Sequence, residues 1–233
     1  MKHISSNELN AILTSRKNKE RLSLDHLIFE DMDLRKKDFH NCDLSFSTFQ
    51  NVILDESDLS DSSLENVLLD DCSLYKVSFE NSILRGCSMR RCDMRYANLN
   101  GTDLFSAILE KADLQNVITN ESTKWFRLHC PETGAFIGYK KCLYNRIVTL
   151  LIPADAMRTS ATLPTCRCSK AKVLKITNFD ESEHYKDAWS TVDSDFCYRL
   201  GEWVEVKDFN EDRWMDSTTG IHFWMDRNEA LSY

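Results

Sequence analysis

The chain has 233 residues, enough for two modest domains, and its 37 acidic against 29 basic residues give a net charge of -8 at pH 7. No segment reaches the roughly 18 consecutive apolar residues of a membrane-spanning helix, and the first twenty residues lack the apolar core of a signal peptide. These features exclude an integral membrane protein, so we expect a cytoplasmic protein that does not associate with membranes.

The first predicted element is a short capping helix within residues 1–21. Ser5 is followed three residues later by Glu8, which is the spacing of a capping box, and apolar residues then recur at helical spacing from Leu9. The open end of the repeat region that follows exposes backbone and core, which need a cover with a polar outer side. We expect this helix to provide that cover.

Residues 22–118 carry an apolar residue at every fifth position. The register holds for nineteen consecutive positions: Leu24, Phe29, Leu34, Phe39, Leu44, Phe49, Leu54, Leu59, Leu64, Leu69, Leu74, Phe79, Leu84, Met89, Met94, Leu99, Leu104, Leu109 and Leu114. A step of five rotates a helical side chain by about 140°, and on a strand an odd step reverses the side-chain direction. Neither a regular helix nor a flat strand explains this period, which therefore predicts a repeat architecture.

A coil in which five residues form each side of a square explains the period, because the central apolar residue then always faces the axis. The residue two positions earlier also faces inward and must be small. From Cys42 to Ala112 its fifteen occupants are all Cys, Ser, Val, Ala or Thr. The cysteines among them are expected to act as small apolar residues, a Cys72–Cys92 disulfide being the alternative. Before Cys42, the residues at this inward position are larger or charged: Leu22, Leu27, Met32 and Lys37. We therefore expect a widened or incomplete first coil, in which the Lys37 side chain reaches solvent.

The pentapeptides ANLNG, TDLFS, ADLQN, CDLSF and SDLSD resemble the consensus of the pentapeptide repeat family, which is a small residue, Asp or Asn, Leu and two variable residues. The resemblance covers residues 22–118 and implies a right-handed quadrilateral β-solenoid. It also implies a class of function. Known members include acidic rods that resemble B-form DNA and occupy the DNA-binding saddle of gyrase, which protects the enzyme from quinolones or inhibits it.

The repeat region carries almost all of the negative charge. Residues 22–120 contain 18 acidic and 9 basic residues, a net charge of -9, whereas the rest of the chain has a net charge of +1. Residues twenty apart are stacked neighbours, and three such pairs carry opposite charges that we expect to neutralise each other. They are Glu65–Arg85, Asp70–Arg90 and Asp71–Arg91.

Two surfaces of the solenoid are candidates for binding. The first is acidic and lies in the N-terminal half: Asp25, Glu30, Asp31, Asp33, Asp38, Asp43, Asp55, Glu56, Asp58 and Asp61. The second is a column of outward positions that holds Ile28, Leu68 and Ile108 together with Thr48 and Ser88. This column either stiffens the coil or is covered by the C-terminal domain or a partner, and the sequence leaves these alternatives open.

Residues 119–233 differ in composition and are expected to form a separate α+β domain, so the whole chain is mainly β. They hold all three prolines and all five tryptophans. The segments FIGYKKC, RIVTLLIP, AKVLKIT, EWVEVKD and GIHFWM are typical of strands, PADAMRTS of a turn and DRNEALSY of a short helix. An aromatic core is expected from Trp203, Trp214, Phe223 and Trp224.

The segments GAFIGYKKC, IPADAMRTSAT, CRCSKAKVL and TTGIHFWMDRNEA resemble a domain of unknown function that follows pentapeptide repeats in phage and bacterial proteins. The resemblance implies a partner for the solenoid and no assigned chemistry. A zinc site would need a second short-spaced ligand pair besides CRC, and the chain has no phosphate-binding glycine-rich loop, nucleophile elbow or HExxH. We therefore predict no metal, cofactor or catalytic residue. The polar candidates for a ligand pocket are Arg158, Ser160, Lys170 and His222, the last also interpretable as a core histidine.

Two functions from different classes follow. In the first, the protein is a non-enzymatic scaffold whose acidic solenoid mimics DNA and engages an intracellular nucleic-acid-handling or antiviral defence protein, which it inhibits or protects. The setting is a bacterial or phage-infected cytoplasm, no nucleic acid is bound directly, and the C-terminal domain adds contacts or forms a homodimer. In the second, the C-terminal domain is a small enzyme or ligand-binding module that the solenoid displays. We favour the first because a long, specific repeat supports it.

Overall fold

The computed structural model describes residues 1–17 and 20–233. Residues 18 and 19, in the segment expected to contain the capping helix, lie outside the described residues. The chain divides into two compact units, Met1–Phe126 and Arg127–Tyr233. Within the described ranges, no helix is long and apolar enough to cross a membrane.

The predicted N-terminal helix is present as α1 (Ser6–Ser15). Its N-cap is Ser5, whose Oγ accepts the backbone N–H of Glu8 at 3.2 Å, while Glu8 Oε2 accepts the backbone N–H of Ser5 at 2.9 Å. These reciprocal bonds form the predicted capping box. A strand that the sequence did not indicate, β1 (Lys2–His3), precedes the helix.

The helix packs on the first coil through apolar and polar contacts. Leu9 is fully buried, and Lys37 Nζ donates a hydrogen bond to Asn10 Oδ1 at 2.9 Å. Lys37 is half-buried and its Nζ reaches the exposed side chain of Asn10, so this contact at the surface agrees with the expectation that Lys37 extends towards solvent. Of the large inward residues, Leu22 and Leu27 are half-buried and Met32 is buried.

Short parallel strands begin the solenoid. They are β2 (Leu22–Ser23), β3 (Leu27–Glu30), β4 (Cys42–Asp43) and β5 (Thr48–Gln50). Strand β3 pairs with β1 and β5, and β2 pairs with β4. The partners in β3–β5 and β2–β4 are twenty residues apart, and single parallel bridges continue this register from Asp33–Ile53 to Asn98–Ile118. Four pentapeptides therefore make one coil of a quadrilateral solenoid.

Each corner of the coil is a turn that contains a residue in the left-handed conformation. Positive φ values between 53° and 69° recur at nineteen consecutive five-residue steps from His26 to Asn116, and only two of these residues are glycine. The turn is closed by a backbone hydrogen bond, as from Ser47 N to Leu44 O at 3.1 Å. Eight of the seventeen non-glycine residues are Asn or Asp, which tolerate this conformation better than most residues.

The predicted apolar residues fill the interior of the solenoid. Eighteen of the nineteen central residues are at most 2% exposed, and Leu114 is half-buried. Stacked bridges join Asp43, Ser63, Ile83 and Asp103, the residues just before four central leucines. Those leucines therefore occupy one interior file: Leu44, Leu64, Leu84 and Leu104.

The small inward residues also satisfy the backbone of the preceding coil. Ser62 Oγ donates to Phe39 O at 2.7 Å, and Thr102 Oγ1 donates to Phe79 O at 2.9 Å. The cysteines at these sites are free and buried, and burial raises the pKa of Cys72 to about 11. They therefore serve as small packing residues rather than as reactive thiolates.

The stack continues past the domain boundary expected at residue 118. Asp103 pairs with Lys124, twenty-one residues later, and Thr123 Oγ1 donates to Leu99 O at 2.8 Å. One extra residue after Ile118 thus ends the five-residue register without ending the stack. The first unit accordingly reaches Phe126.

The C-terminal unit is built on an antiparallel sheet. Its strands are β6 (Phe136–Cys142), β7 (Arg146–Ile152), β8 (Arg158–Ser160), β9 (Thr165–Cys168), β10 (Lys170–Asn178), β13 (Trp203–Glu205) and β14 (Ile221–Trp224). The order across the sheet is β13-β10-β7-β6-β14-β9-β8. A separate hairpin joins β11 (Asp187–Trp189) to β12 (Cys197–Arg199), and the helix α2 (Arg227–Ser232) follows β14.

All five strands and the helix expected in this unit are present, but the sequence did not indicate β8, β9, β11 or β12. The segment expected to be a turn before residue 161 ends in strand β8 instead. Trp203 was expected in the core and is 54% exposed, because it lies on the edge strand β13. Phe223 and Trp224 are buried as expected, whereas Trp214 is only half-buried.

Candidate functional site

The ten candidate carboxylates surround the N-terminal coils. Glu30 lies in β3 and Asp43 in β4, on different sides of the coil. Asp33 belongs to the ladder that pairs with Ile53, and Asp38 to the ladder that pairs with Asp58. All four sides of the coil therefore carry acidic residues, and the acidic surface is not confined to one face.

Seven of the ten carboxylates form ion pairs inside the first unit. The pairs are His3–Glu30, Arg16–Asp38, Arg21–Asp43, His26–Asp25, Arg35–Asp33, Lys36–Glu56 and His40–Asp61. The three pairs that involve a histidine are ion pairs only when the imidazole ring is protonated. Hydrogen bonds from Arg35 hold the pKa of Asp33 at about 2. Much of the acidic surface is thus internally compensated.

Three carboxylates form no ion pair with any residue that the structure describes. Asp31 accepts a hydrogen bond from Asn51 at 2.7 Å, Asp55 from Ser73 at 2.5 Å, and Asp58 from its near neighbour Ser60. Asp31 and Asp58 are exposed, whereas Asp55 is half-buried. Asp31 and Asp58 therefore present uncompensated charge to solvent.

The arginines of the later coils neutralise neighbouring carboxylates, as expected. Arg91 pairs with Asp71 at 2.6 Å, and Arg90 with Asp70 at 3.5 Å. The third predicted pair is corrected: Arg85 contacts Asp103, through Nε at 3.0 Å and Nη2 at 2.8 Å, instead of Glu65. Asp103 lies on the ladder of the next coil, within reach of the guanidinium fork.

The apolar column is also present. Bridges join Ile28, Thr48, Leu68, Ser88 and Ile108 in succession. Leu68 is 48% exposed, and the two isoleucines are half-buried. Only one residue of the column is thus strongly exposed, which is normal for a folded surface.

The polar candidates in the C-terminal unit have local partners. Arg158 donates to the carbonyl oxygens of Gly134 and Pro153, each at 2.6 Å, and thereby joins two loops. Ser160 Oγ accepts the backbone N–H of His129 at 2.8 Å. The fourth candidate, His222, is treated below. Among the described residues, no group of three or more His, Cys, Asp or Glu side chains could hold a metal ion.

Lys170 forms an ion pair with Asp155 at 2.6 Å. None of Arg158, Ser160 and Lys170 lines the cavity of the C-terminal unit, which has a volume of about 650 Å³. The structure therefore does not bring the four polar candidates together.

His222 does line this cavity. Burial lowers its pKa, and its Nε2 lies 3.3 Å from the carbonyl oxygen of Asp216. The lysine in the cavity wall is Lys140, which sequence reasoning missed. The two-residue period of strand β6 was the available signal, because it aligns Lys140 with the buried Gly138 and Cys142.

Two families match the chain. Residues 29–61, 72–110 and 83–118 match pentapeptide repeats, in 8 copies, and residues 126–230 match a family of unknown function, DUF5758. Among curated proteins, none matches the chain.

Solved structures of pentapeptide repeat proteins are similar to part of the chain. One, from the thylakoid lumen of Arabidopsis thaliana, is 18% identical over 43% of this chain and 70% of its own, with a TM-score of 0.41. HetL of the cyanobacterium Nostoc, involved in heterocyst differentiation regulation, is 24% identical over 41% of this chain and 48% of its own, with a TM-score of 0.33. QnrB1, a plasmid-mediated fluoroquinolone resistance protein, is 18% identical over 45% of this chain and 74% of its own, with a TM-score of 0.29. The chain thus spans about half the length of HetL. The two family matches show that it contains pentapeptide repeats followed by a C-terminal domain of the DUF5758 family.

Proposed function

We propose that this chain is a non-enzymatic protein-binding scaffold. Its acidic solenoid surface occupies a basic, nucleic-acid-binding site on an intracellular nucleic-acid-handling or defence protein, which it inhibits or protects. The observation that carries the proposal is the filled interior, in which eighteen central side chains are at most 2% exposed. Because these side chains fill the interior of the solenoid, we infer that recognition depends on its outer surface.

The charge of that surface favours a basic partner. The region 22–120 has a net charge of -9, and Asp31 and Asp58 carry no compensating cation among the described residues. Electrostatic complementarity of this kind accelerates association and selects partners by the sign of their charge. Duplex DNA binds basic sites through the same interaction with its phosphates.

The regular coils also favour a binding role. Successive coils are joined by backbone hydrogen bonds on every side, for example Leu64 N to Ile83 O at 2.7 Å and Ser63 N to Cys42 O at 2.9 Å. The carboxylates are therefore held on a stiff backbone before any partner arrives. Such preorganisation reduces the entropy lost on binding.

Affinity capture from a cell lysate, with this chain as bait, tests the proposal. We expect a nucleic-acid-binding protein that is retained at low salt and released at high salt, because salt screens exposed charges. The double variant Asp31→Asn/Asp58→Asn removes two uncompensated charges and keeps the acceptor oxygens. It should bind the retained protein about tenfold more weakly, which corresponds to about 1.4 kcal/mol.

The matched control is Glu205→Gln/Glu211→Gln, which removes two exposed charges from the C-terminal unit. It should bind like the wild type. Equal weakening by both double variants, or retention that does not depend on salt, would contradict an acidic binding site on the solenoid.

A second candidate function is ligand binding by the C-terminal unit, in addition to extra contacts or dimer formation by that unit. The cavity of about 650 Å³ that His222 lines favours it.

A further inference from the structure

The cavity of the C-terminal unit has the size and lining of a small-molecule site. Its volume of about 650 Å³ lies within the range of roughly 300–1,000 Å³ that is typical of ligand pockets. Phe196, Val206 and Ile221 contribute apolar surface, while Lys140 and His222 contribute polar groups. This combination of an apolar wall with few polar groups is characteristic of such sites.

Lys140 is the unusual member of this lining. The residue is 3% exposed, and its Nζ forms no hydrogen bond or ion pair with any residue that the structure describes. It lies 5.4 Å from the ring centroid of Trp224 and 5.9 Å from that of Tyr233, so cation–π attraction is its main compensation. A lysine ammonium has three donors, and buried polar groups in folded proteins normally have hydrogen-bond partners. The Nζ atom is open to the cavity rather than sealed within the core, so a ligand there can replace water as its acceptor.

Lys140 is a buried cation in the lining of the cavity, and the other ionisable groups there differ from it in burial or in charge. Burial lowers the pKa of His222 from its usual 6.5, so this ring is neutral at pH 7. Burial also lowers the pKa of Lys140. A bound anion would oppose this effect, because a neighbouring negative charge raises the pKa of an ammonium and favours its charged form. Asp193 and Asp208 also line the cavity, but both are exposed, so water screens their negative charge.

One wall of the cavity is fixed by a buried arginine. Arg167 is 2% exposed and donates to four backbone carbonyl oxygens, those of Asn210, Asp212, Met215 and Thr219, at 2.9 to 3.0 Å. These bonds hold the loop that brings residues 217–220 to the cavity. Gly220 has a φ of 150°, and a Cβ there would lie 3.2 Å from Arg167 Cβ, which explains why glycine stands at this point. The wall is therefore built before a ligand binds.

We propose that this cavity binds a small organic anion whose carboxylate or phosphate group pairs with the ammonium of Lys140 and whose apolar body lies against Phe196, Val206 and Ile221. The site is independent of the solenoid surface, so either proposal can fail without the other. The apolar wall requires a ligand with an aromatic or aliphatic body, and a free inorganic ion does not meet that requirement.

Isothermal titration calorimetry on the full chain tests the proposal with two matched pairs of probes. The phosphate arm compares adenosine 5′-monophosphate with adenosine, and the carboxylate arm compares indole-3-acetate with indole-3-acetamide. We expect the anion of at least one arm to bind at least tenfold more tightly than its neutral partner. The arm that responds identifies the anionic group.

The variant Lys140→Met should abolish this preference for the anion. The control Lys186→Met removes an exposed positive charge from the same unit and should bind like the wild type. If Lys140→Met does not fold, NMR of lysine labelled at the ε carbon in the wild type gives the second readout. The pKa of Lys140 should rise when the anion is added and stay unchanged with the neutral partner.

Three results would overturn the proposal. They are equal binding of anion and neutral partner, absence of binding by both anions to the wild type, and unchanged anion binding by Lys140→Met.

Discussion

Each pentapeptide depends on one side chain that fills the interior and on neighbours that face outward. Leu64 is completely buried, whereas Leu68, four residues later, is 48% exposed. The two leucines have the same chemistry and lie on consecutive sides of one coil. Substitutions at the two positions therefore separate the effect of burial on stability from the effect of residue type.

Replacement of Leu64 by alanine should lower the free energy of unfolding by about 2–5 kcal/mol, because it removes buried methyl groups and leaves a cavity. Leu68→Ala is the matched control and should cost less than about 1 kcal/mol. Urea denaturation of both variants measures the difference. Similar losses at the two positions would contradict the assignment of Leu64 to the interior.

Asp33 carries the second prediction for a single residue. Hydrogen bonds from Arg35 lower the pKa of its carboxyl group to about 2. Because the folded pKa lies below the usual 3.8, the ion pair adds stability above pH 4, and this stability is lost as the pH falls towards 2. NMR titration of the carboxyl group should show that Arg35→Gln raises the pKa of Asp33 towards 3.8. An unchanged titration in that variant would show that Arg35 is not the cause.

The positions of inward residues could be read from the sequence because a five-residue period has one geometric solution. The partner of Arg85 could not be read from the sequence. Glu65 in the preceding coil and Asp103 in the next both lie near its guanidinium, and only the side-chain geometry of the folded solenoid selects Asp103. Lys140 was missed for a related reason. A lysine in an apolar strand is ordinarily placed in solvent, and only the completed sheet buries it.

At the scale of elements, the capping helix α1 shows how local signals fix an end of the solenoid. Its N-cap bonds use the side chains of Ser5 and Glu8, and its buried face is anchored by Leu9. The capping box could be predicted because it depends only on residues three apart. The strand β1 could not, because Lys2 and His3 pair with Leu27 and Ile28, far away in the sequence.

The variant Ser5→Ala should destabilise α1 by about 1 kcal/mol, because the backbone N–H of Glu8 loses its acceptor. Hydrogen exchange of amides in residues 6–15 should become faster. The neighbouring Ser6→Ala is the control, since the side chain of Ser6 makes no hydrogen bond with the residues described. Equal acceleration in both variants would argue against the capping role of Ser5.

In the C-terminal unit, the hydrophobic pattern predicted β6, β7, β10, β13 and β14 and missed β8, β9, β11 and β12. Strands β6, β7 and β10 have seven or more residues each, long enough for a clear pattern. Strand β8 has three residues, and β9 carries the buried, charged Arg167, so neither resembles an apolar strand. The function of Arg167 in holding a loop through carbonyl oxygens likewise depends on contacts that are distant in sequence.

At the scale of the whole molecule, the negative charge is concentrated in the repeat region. The repeat region holds a net charge of -9 on a solid interior, and the rest of the chain has a net charge of +1. The cavity of about 650 Å³ lies in the C-terminal unit. The proposed functions follow this difference: protein binding by the acidic solenoid surface and small-molecule binding by the DUF5758 domain.

Competition between this chain and DNA for the captured partner tests the central claim most directly. Fluorescence anisotropy of a labelled 20-base-pair duplex, bound to the partner, is followed as the chain is added. If the acidic surface occupies the nucleic-acid site, the chain displaces the duplex completely, and Asp31→Asn/Asp58→Asn needs about ten times the concentration. A ternary complex, in which the duplex stays bound at saturating chain, would contradict the account.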